Sequence, residues 1–179
     1  MRNIKVILEY DGTEYSGWQI QKNTPSTIQQ KLEEALEEIN KAPVKVQGAG
    51  RTDAGVHALG QTANFKLDVS IPADRIPVAL NRLLPDDIVC REAEEVALGF
   101  HARYDTCGKK YRYRILNKRL PSVFIRNYAY HYIQQLDITA MKEAASCFEG
   151  SHDFTSFQAR GCGATNTVKT IYDLRIVNK

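Results

Sequence analysis

The chain has 179 residues, of which 43% are apolar and 25% charged, the balance of a folded globular protein rather than a disordered one. Its 11 glycines and four cysteines exclude a collagen-like chain and a small disulfide scaffold. No apolar run approaches the roughly 20 residues that span a bilayer. The N-terminal residues enter an alternating pattern at once, so we predict neither a membrane segment nor a signal peptide.

The cysteines and histidines are dispersed along the chain. The cysteines lie at positions 90, 107, 147 and 162, and the histidines at 57, 101, 131 and 152. None forms a Cys-x-x-Cys pair, and none stands at the spacing of a zinc site. We therefore expect free thiols in a reducing cytoplasm, and no metal site.

In chain order, the first half alternates strands and helices. Apolar residues at every second position predict a strand over residues 4–10. A capping-box pattern at Ser26 and Gln29, followed by helical spacing, predicts a helix that ends before Pro43. The pattern then predicts a strand over 44–47, a glycine-rich segment over 48–60, a strand over 62–67, a short helix over 76–83 and an extended segment over 88–96.

The second half continues the same mixture. Alternating aromatic and basic residues predict a strand over 111–116, and residues 128–133 predict another. Asp137 is a good N-cap for a helix that ends before Gly150. A long loop over 150–167 and a last strand over 169–178 complete the pattern.

This element order predicts an α+β protein of two α/β subdomains. Its first part reads β-α-β-β-α-β and its second β-β-α-β, which favours helices on one side of a mostly antiparallel sheet. A soft boundary lies near residues 98–108, so we predict subdomains over 1–100 and 101–179.

Positive charge is concentrated in one segment. The net charge is +3 for the whole chain, whereas residues 101–130 carry +7 and the remainder −4. The basic residues of this segment are Arg103, Lys109, Lys110, Arg112, Arg114, Lys118, Arg119 and Arg126. Such a local field on an otherwise acidic chain indicates a polyanionic partner.

Residues 48–58 carry the pattern most suggestive of chemistry, Gly-Ala-Gly-Arg-Thr-Asp-Ala-Gly-Val-His-Ala. The segment lacks the third glycine of a dinucleotide fingerprint and the lysine of a P-loop, which disfavours nucleotide binding. Arg51 stands two residues before Asp53, a candidate nucleophile or base. The competing interpretation is an Asp-Ala-Gly turn in which the Asp53 carboxylate bonds its own backbone.

This segment, together with three others, resembles the tRNA pseudouridine synthase A family. Residues 50–57 look like the family signature. Tyr10-Asp11-Gly12-Thr13, with Tyr15, Gly17, Trp18, Gln19 and Gln21, looks like its N-terminal motif. Residues 100–103 with 110–113 and residues 153–157 match two later motifs in order. The resemblance covers essentially the whole chain.

The resemblance implies a cofactor-free and metal-free isomerase that converts uridine to pseudouridine at positions 38–40 of the tRNA anticodon stem-loop. By resemblance, Asp53 is the catalytic carboxylate, Arg51 enters the space that the flipped uridine leaves, and Tyr111 stacks on the base. The simpler interpretations are a surface arginine paired with an acid and a core tyrosine. The family also implies two ferredoxin-like subdomains with a cleft between them, a homodimer, and tRNA as partner.

The sequence departs from the family in one respect. Family members continue past this point with a further strand and helix, whose arginine is expected to pair with the catalytic aspartate. We therefore expect an incomplete second subdomain, an exposed edge at the last strand, and little activity from these 179 residues alone. The alternative function is a truncated, non-catalytic RNA-binding fragment.

Overall fold

A four-stranded antiparallel sheet organises the first part of the computed structural model, which describes residues 1–21, 26–158 and 166–178. The strands β1 (Arg2–Tyr10), β2 (Val46–Gly48), β3 (Ala58–Leu67) and β4 (Ile88–Val96) lie in the order β2-β3-β1-β4. All three pairings in this sheet are antiparallel. The predicted α+β class with a mostly antiparallel sheet is confirmed.

Two helices cover one face of this sheet and enclose the core. Helix α1 spans Ile28–Asn40 and α2 spans Ile76–Leu80. Every second residue of β1 from Ile4 onward is buried, in the same cluster as Leu32 and Leu36 of α1. The predicted cap at Ser26 is wrong by one residue, because the Thr27 hydroxyl accepts the hydrogen bond from the Gln30 amide.

A buried pair of asparagines anchors the segment that follows β4. The Asn64 amide donates to Asn3 Oδ1 at 2.9 Å, and Asn64 Oδ1 accepts from the Ala102 backbone amide at 2.8 Å. The Asn3 amide in turn donates to the carbonyls of Ala97 and Phe100, each at 2.9 Å. These bonds satisfy both side chains and fix residues 97–102 against β1 and β3.

The chain divides into two units, Met1–Tyr111 and Arg112–Lys179. The second contains a parallel pair, β5 (Ile115–Asn117) with β6 (Tyr130–Tyr132), then α3 (Ile138–Ser146), and an antiparallel pair, β7 (Gly150–Asp153) with β8 (Val168–Ile171). Asp137 caps α3 as predicted, accepting from the Ala140 amide at 3.0 Å. Among the helices that the structure describes, none is long and apolar enough to cross a membrane.

Three expectations for the second half need correction. The strand predicted from residue 111 begins only at Ile115, and the last strand ends at Ile171 rather than near residue 178. The predicted loop over 150–167 contains β7 and a 3₁₀ turn at Thr155–Phe157, although residues 159–165 lie outside the described part. The expected single shared sheet is also not observed, because the described strands hydrogen-bond in three separate sheets.

Burial of Cys90 leads to a test of the first unit. Its side chain is 1% exposed, and burial raises the pKa of the thiol to about 12, whereas Cys107 and Cys147 are exposed. Thiol alkylation requires the thiolate, so at pH 8 we expect Cys90 to react on the order of a thousandfold more slowly than an ordinary thiol. Peptide mapping after timed iodoacetamide labelling measures this.

Labelling in denaturant serves as the control for this prediction, because unfolding should bring the three rates together. Equal labelling of Cys90, Cys107 and Cys147 in the folded protein would contradict the burial of Cys90 in the core.

Candidate functional site

Residues 49–57 connect β2 to β3 and contain a tight turn. The Asp53 carbonyl accepts a hydrogen bond from the Val56 amide at 3.1 Å, and Gly55 has φ of +75°. A positive φ at this position favours glycine. The Asp-Ala-Gly turn weighed in the sequence analysis therefore exists, but a backbone hydrogen bond stabilises it rather than the Asp53 carboxylate. Among the described residues, no hydrogen bond or ion pair involves the Asp53 carboxylate.

Residues 10–18, which we call the cradle, hold this loop from one side. The Trp18 amide donates to the Thr52 carbonyl at 2.9 Å, and the Gly55 amide donates to the Tyr15 carbonyl at 3.1 Å. The Tyr10 hydroxyl lies 2.9 Å from the Thr52 hydroxyl, within hydrogen-bonding distance. Hydrogen bonds to the cradle thus hold the loop at Thr52, immediately before Asp53, and at Gly55, two residues after it.

Two glycines of the cradle allow the backbones to approach this closely. Gly17 has φ of +87°, and a β-carbon there would overlap the Thr52 carbonyl oxygen. A β-carbon on Gly12 would overlap the Val56 carbonyl in the same way. The Gly12 amide also donates to His57 Nδ1 at 3.1 Å. Any side chain at Gly12 or Gly17 would therefore push the cradle and the loop apart.

The cradle is itself anchored to the core of the first unit. The Tyr15 hydroxyl donates to Asp87 Oδ1 at 2.6 Å. Burial and the neighbouring Asp87 carboxylate raise the pKa of Tyr15, so this hydroxyl remains a donor at neutral pH. On the other side, the Ile28 amide at the start of α1 donates to the Gly17 carbonyl at 3.2 Å. The cradle thus fixes the loop relative to both α1 and the end of the sheet.

Arg51 and Asp53 lie together at an open depression of about 530 Å³. Both residues are exposed, and the other lining residues are Ser16, Gln19, Ile20, Gln21, Thr52 and Ala54. Within the described part of the chain Arg51 forms no ion pair, so the paired surface arginine expected as its simpler interpretation is not observed. The Arg51 guanidinium and the Asp53 carboxylate, both on the same loop, are therefore available to a ligand.

Tyr111 is not part of this depression. Its side chain is 83% exposed, which excludes the interpretation as a core tyrosine. It precedes β5 in a segment without regular structure, so it lies outside the observed part of the strand predicted over 111–116. Its role in stacking on a base stays a prediction.

The basic segment presents its charges to solvent. All eight of its lysines and arginines are exposed, and in the described residues none of them forms an ion pair. Unpaired cations of this density suit the phosphates of a nucleic acid. Within the same described residues, no group of His, Cys, Asp and Glu side chains is arranged to hold a metal ion.

Sequence reasoning missed several residues that build the site. It gave no role to Gly17 or to Asp87, which lies 72 residues from its partner Tyr15. It also treated Lys109 only as one charge among many, yet a β-carbon on Gly50 would lie 2.8 Å from the Lys109 Nζ. The glycine inside the N-terminal motif was the one available signal, since a positive φ or close approach often requires glycine.

Comparison with known proteins places the chain in a family. A sequence profile described as tRNA pseudouridine synthase matches residues 6–105 and 144–179. The chain belongs to the tRNA pseudouridine synthase family. The first matched segment includes the whole cradle and residues 49–57, whereas Lys109 and Tyr111 lie between the two segments.

Curated relatives agree with this assignment. The tRNA pseudouridine synthase A of Acetivibrio thermocellus is 51% identical over 98% of this chain and 72% of its own length. A protein of the same name from Thermoanaerobacter sp. is 49% identical with the same coverage. The tRNA pseudouridine synthase A 2 of Clostridium perfringens is 51% identical, again over 98% of this chain and 72% of its own length.

The close approach at Gly17 predicts a large cost for a single methyl group. Gly17→Ala places a β-carbon in a left-handed conformation against the Thr52 carbonyl, and we expect it to lower the free energy of unfolding by about 1–3 kcal/mol. Urea denaturation followed by circular dichroism measures the change.

Gly99→Ala is the matched control, because a β-carbon on Gly99 meets nothing within 4 Å. It should stay within about 0.5 kcal/mol of the unmodified chain. Equal denaturation midpoints for the two variants would contradict the tight contact between cradle and loop.

Proposed function

We propose that this protein isomerises uridine to pseudouridine in tRNA, at positions 38–40 of the anticodon stem-loop, with Asp53 as the catalytic carboxylate. The observation that carries the proposal is the loop of residues 49–57. Its backbone is bound by the cradle, and Asp53 lines an open depression together with Arg51. The names of the curated relatives support tRNA as the substrate.

A carboxylate suits this reaction chemically. The C1′–N1 glycosidic bond breaks, the uracil rotates, and a C5–C1′ bond forms as the C5 proton leaves and N1 takes up a proton. A carboxylate either attacks C1′ and later departs, or assists deprotonation of the sugar. The overall change is an isomerisation in which no electrons are gained or lost, so Asp53 needs no redox partner.

Arg51 and Tyr111 complete the proposed substrate site. The target base must leave its stack to reach a carboxylate. Arg51 stands two residues from Asp53 and lines the same depression, which supports its proposed role in filling the space left by the base. Tyr111 is 83% exposed, which supports its proposed role in stacking on a base, an interaction worth roughly 1–3 kcal/mol.

The proposal extends to fold and assembly. The β-α-β-β-α-β order and the sheet order β2-β3-β1-β4 of the first unit support a ferredoxin-like subdomain. We also propose subdomains over residues 1–100 and 101–179, a homodimer, and action in the cytoplasm on tRNA. The exposed, unpaired cations of the basic segment support a polyanionic RNA as the partner.

Release of tritium from tRNA labelled at uridine C5 tests the proposed chemistry, because formation of the C5–C1′ bond frees that hydrogen. In the protein expressed from its complete gene, Asp53→Asn should lower the rate of tritium release at least about a thousandfold, while tRNA binding persists. Asp74→Asn is the matched control, since this exposed aspartate of the first unit lies outside the depression and should leave the rate unchanged.

Two results would overturn parts of this proposal. Unchanged tritium release by Asp53→Asn would remove Asp53 from the chemistry. Binding of tRNA by the unmodified protein without any release would favour the alternative, a non-catalytic RNA-binding module.

A further inference from the structure

The side chain of Lys109 lies against the loop that carries Asp53. A β-carbon on Gly50 would stand 2.8 Å from Lys109 Nζ, 3.1 Å from Cε and 3.7 Å from Cδ. The end of the lysine chain therefore lies over the space that a side chain at Gly50 would need. Gly50 immediately precedes Arg51, so a second cation stands at the start of the loop.

Lys109 is brought there by an anchored segment rather than by a free tail. The asparagine pair fixes residues 97–102 to the sheet, as described above, and the Thr106 hydroxyl continues this anchoring by donating to the Ala102 carbonyl. Only two residues, Cys107 and Gly108, separate Thr106 from Lys109. The short connection limits how far the ammonium group can move from the loop.

The charge of Lys109 is not used within the described protein. Lys109 is exposed, and among the described residues it forms no ion pair and no hydrogen bond. An ammonium group that has no anionic partner among the described residues is suited to a phosphate. Its neighbour Lys110 is also exposed, but the three atoms that would lie nearest to a β-carbon on Gly50 all belong to Lys109.

We infer that Lys109 is a substrate-binding residue that holds an RNA backbone phosphate beside the target uridine, and that Gly50 lacks a side chain to leave room for it. This inference rests on the proposed function, because it assigns the phosphate to the RNA whose base Asp53 attacks. Arg51 then occupies the space that the flipped base leaves, and Lys109 binds the RNA backbone next to it.

Salt dependence of tRNA binding tests the phosphate contact, with Asp53→Asn as the background so that no substrate is consumed. Each phosphate contact adds about 0.7–0.9 to the slope of log affinity against log salt. Lys109→Met should lower the magnitude of the slope by that amount, and Lys109→Arg should restore it. An unchanged slope in Lys109→Met would overturn the inference.

A double-mutant cycle with Gly50 distinguishes Lys109 from general basic charge. Gly50→Ala should weaken tRNA binding several-fold in the unmodified and Lys110→Met proteins, since the new methyl displaces Lys109. In Lys109→Met the same change should have no further effect. Equal effects of Gly50→Ala in the Lys109→Met and Lys110→Met proteins would overturn the inference. Circular dichroism confirms that each variant is folded.

Two further results separate this inference from the proposed function. If Lys109→Met shifts the pH profile of tritium release while the salt slope stays constant, the ammonium acts on Asp53 and the phosphate assignment fails. If Asp53→Asn retains tritium release, the proposed function fails, whatever the result at Lys109.

Discussion

The contact between the backbone of Gly17 and the carbonyl of Thr52 is the constraint on which the site depends. The adjacent Trp18 amide reaches that carbonyl at 2.9 Å, and Gly17 leaves no room for a β-carbon. The carbonyls of Thr52 and Asp53 are therefore satisfied by the cradle and by the turn. The carboxylate is left for a ligand, which is the condition that a nucleophile or base requires.

Anchoring of the cradle explains why a small loop can keep a defined position on an open surface. Tyr15 connects it to Asp87 and thus to the entry of β4, and the Gly17 carbonyl receives an amide from the first turn of α1. Preorganised sites are more precise when rigid elements support them than when a loop stands alone. The open depression at Asp53 and Arg51 is thus bordered by backbone whose position the core determines.

Local patterns in the sequence predicted the parts of the fold that local interactions control. The alternation in β1 and the spacing of α1 predicted both elements, and Asp137 was the cap of α3. The strand expected from Tyr111 was wrong for its first four residues, because alternation indicates a strand only where a partner accepts its hydrogen bonds. The family resemblance, based on four short motifs, is confirmed by the profile and the curated relatives.

The assembly of the site could not be predicted in the same way. Tyr10 and Thr52 are 42 residues apart, and no periodicity indicates that the N-terminal motif supports the loop. The N-terminal motif supports the loop through backbone contacts, whereas the chemical role of the loop stays a proposal. The placement of Lys109 over Gly50 also depends on the distant asparagine pair that anchors its segment.

Amide hydrogen exchange measured residue by residue tests the central claim most directly. The amides of Trp18 and Gly55 donate across the contact between cradle and loop, while no backbone partner of the Ala54 amide occurs in the described residues. We predict that the Trp18 and Gly55 amides exchange at least about a hundredfold more slowly than those of an unstructured chain, whereas the Ala54 amide exchanges freely. Fast exchange at all three amides would contradict it, since the loop would then not be held by the cradle.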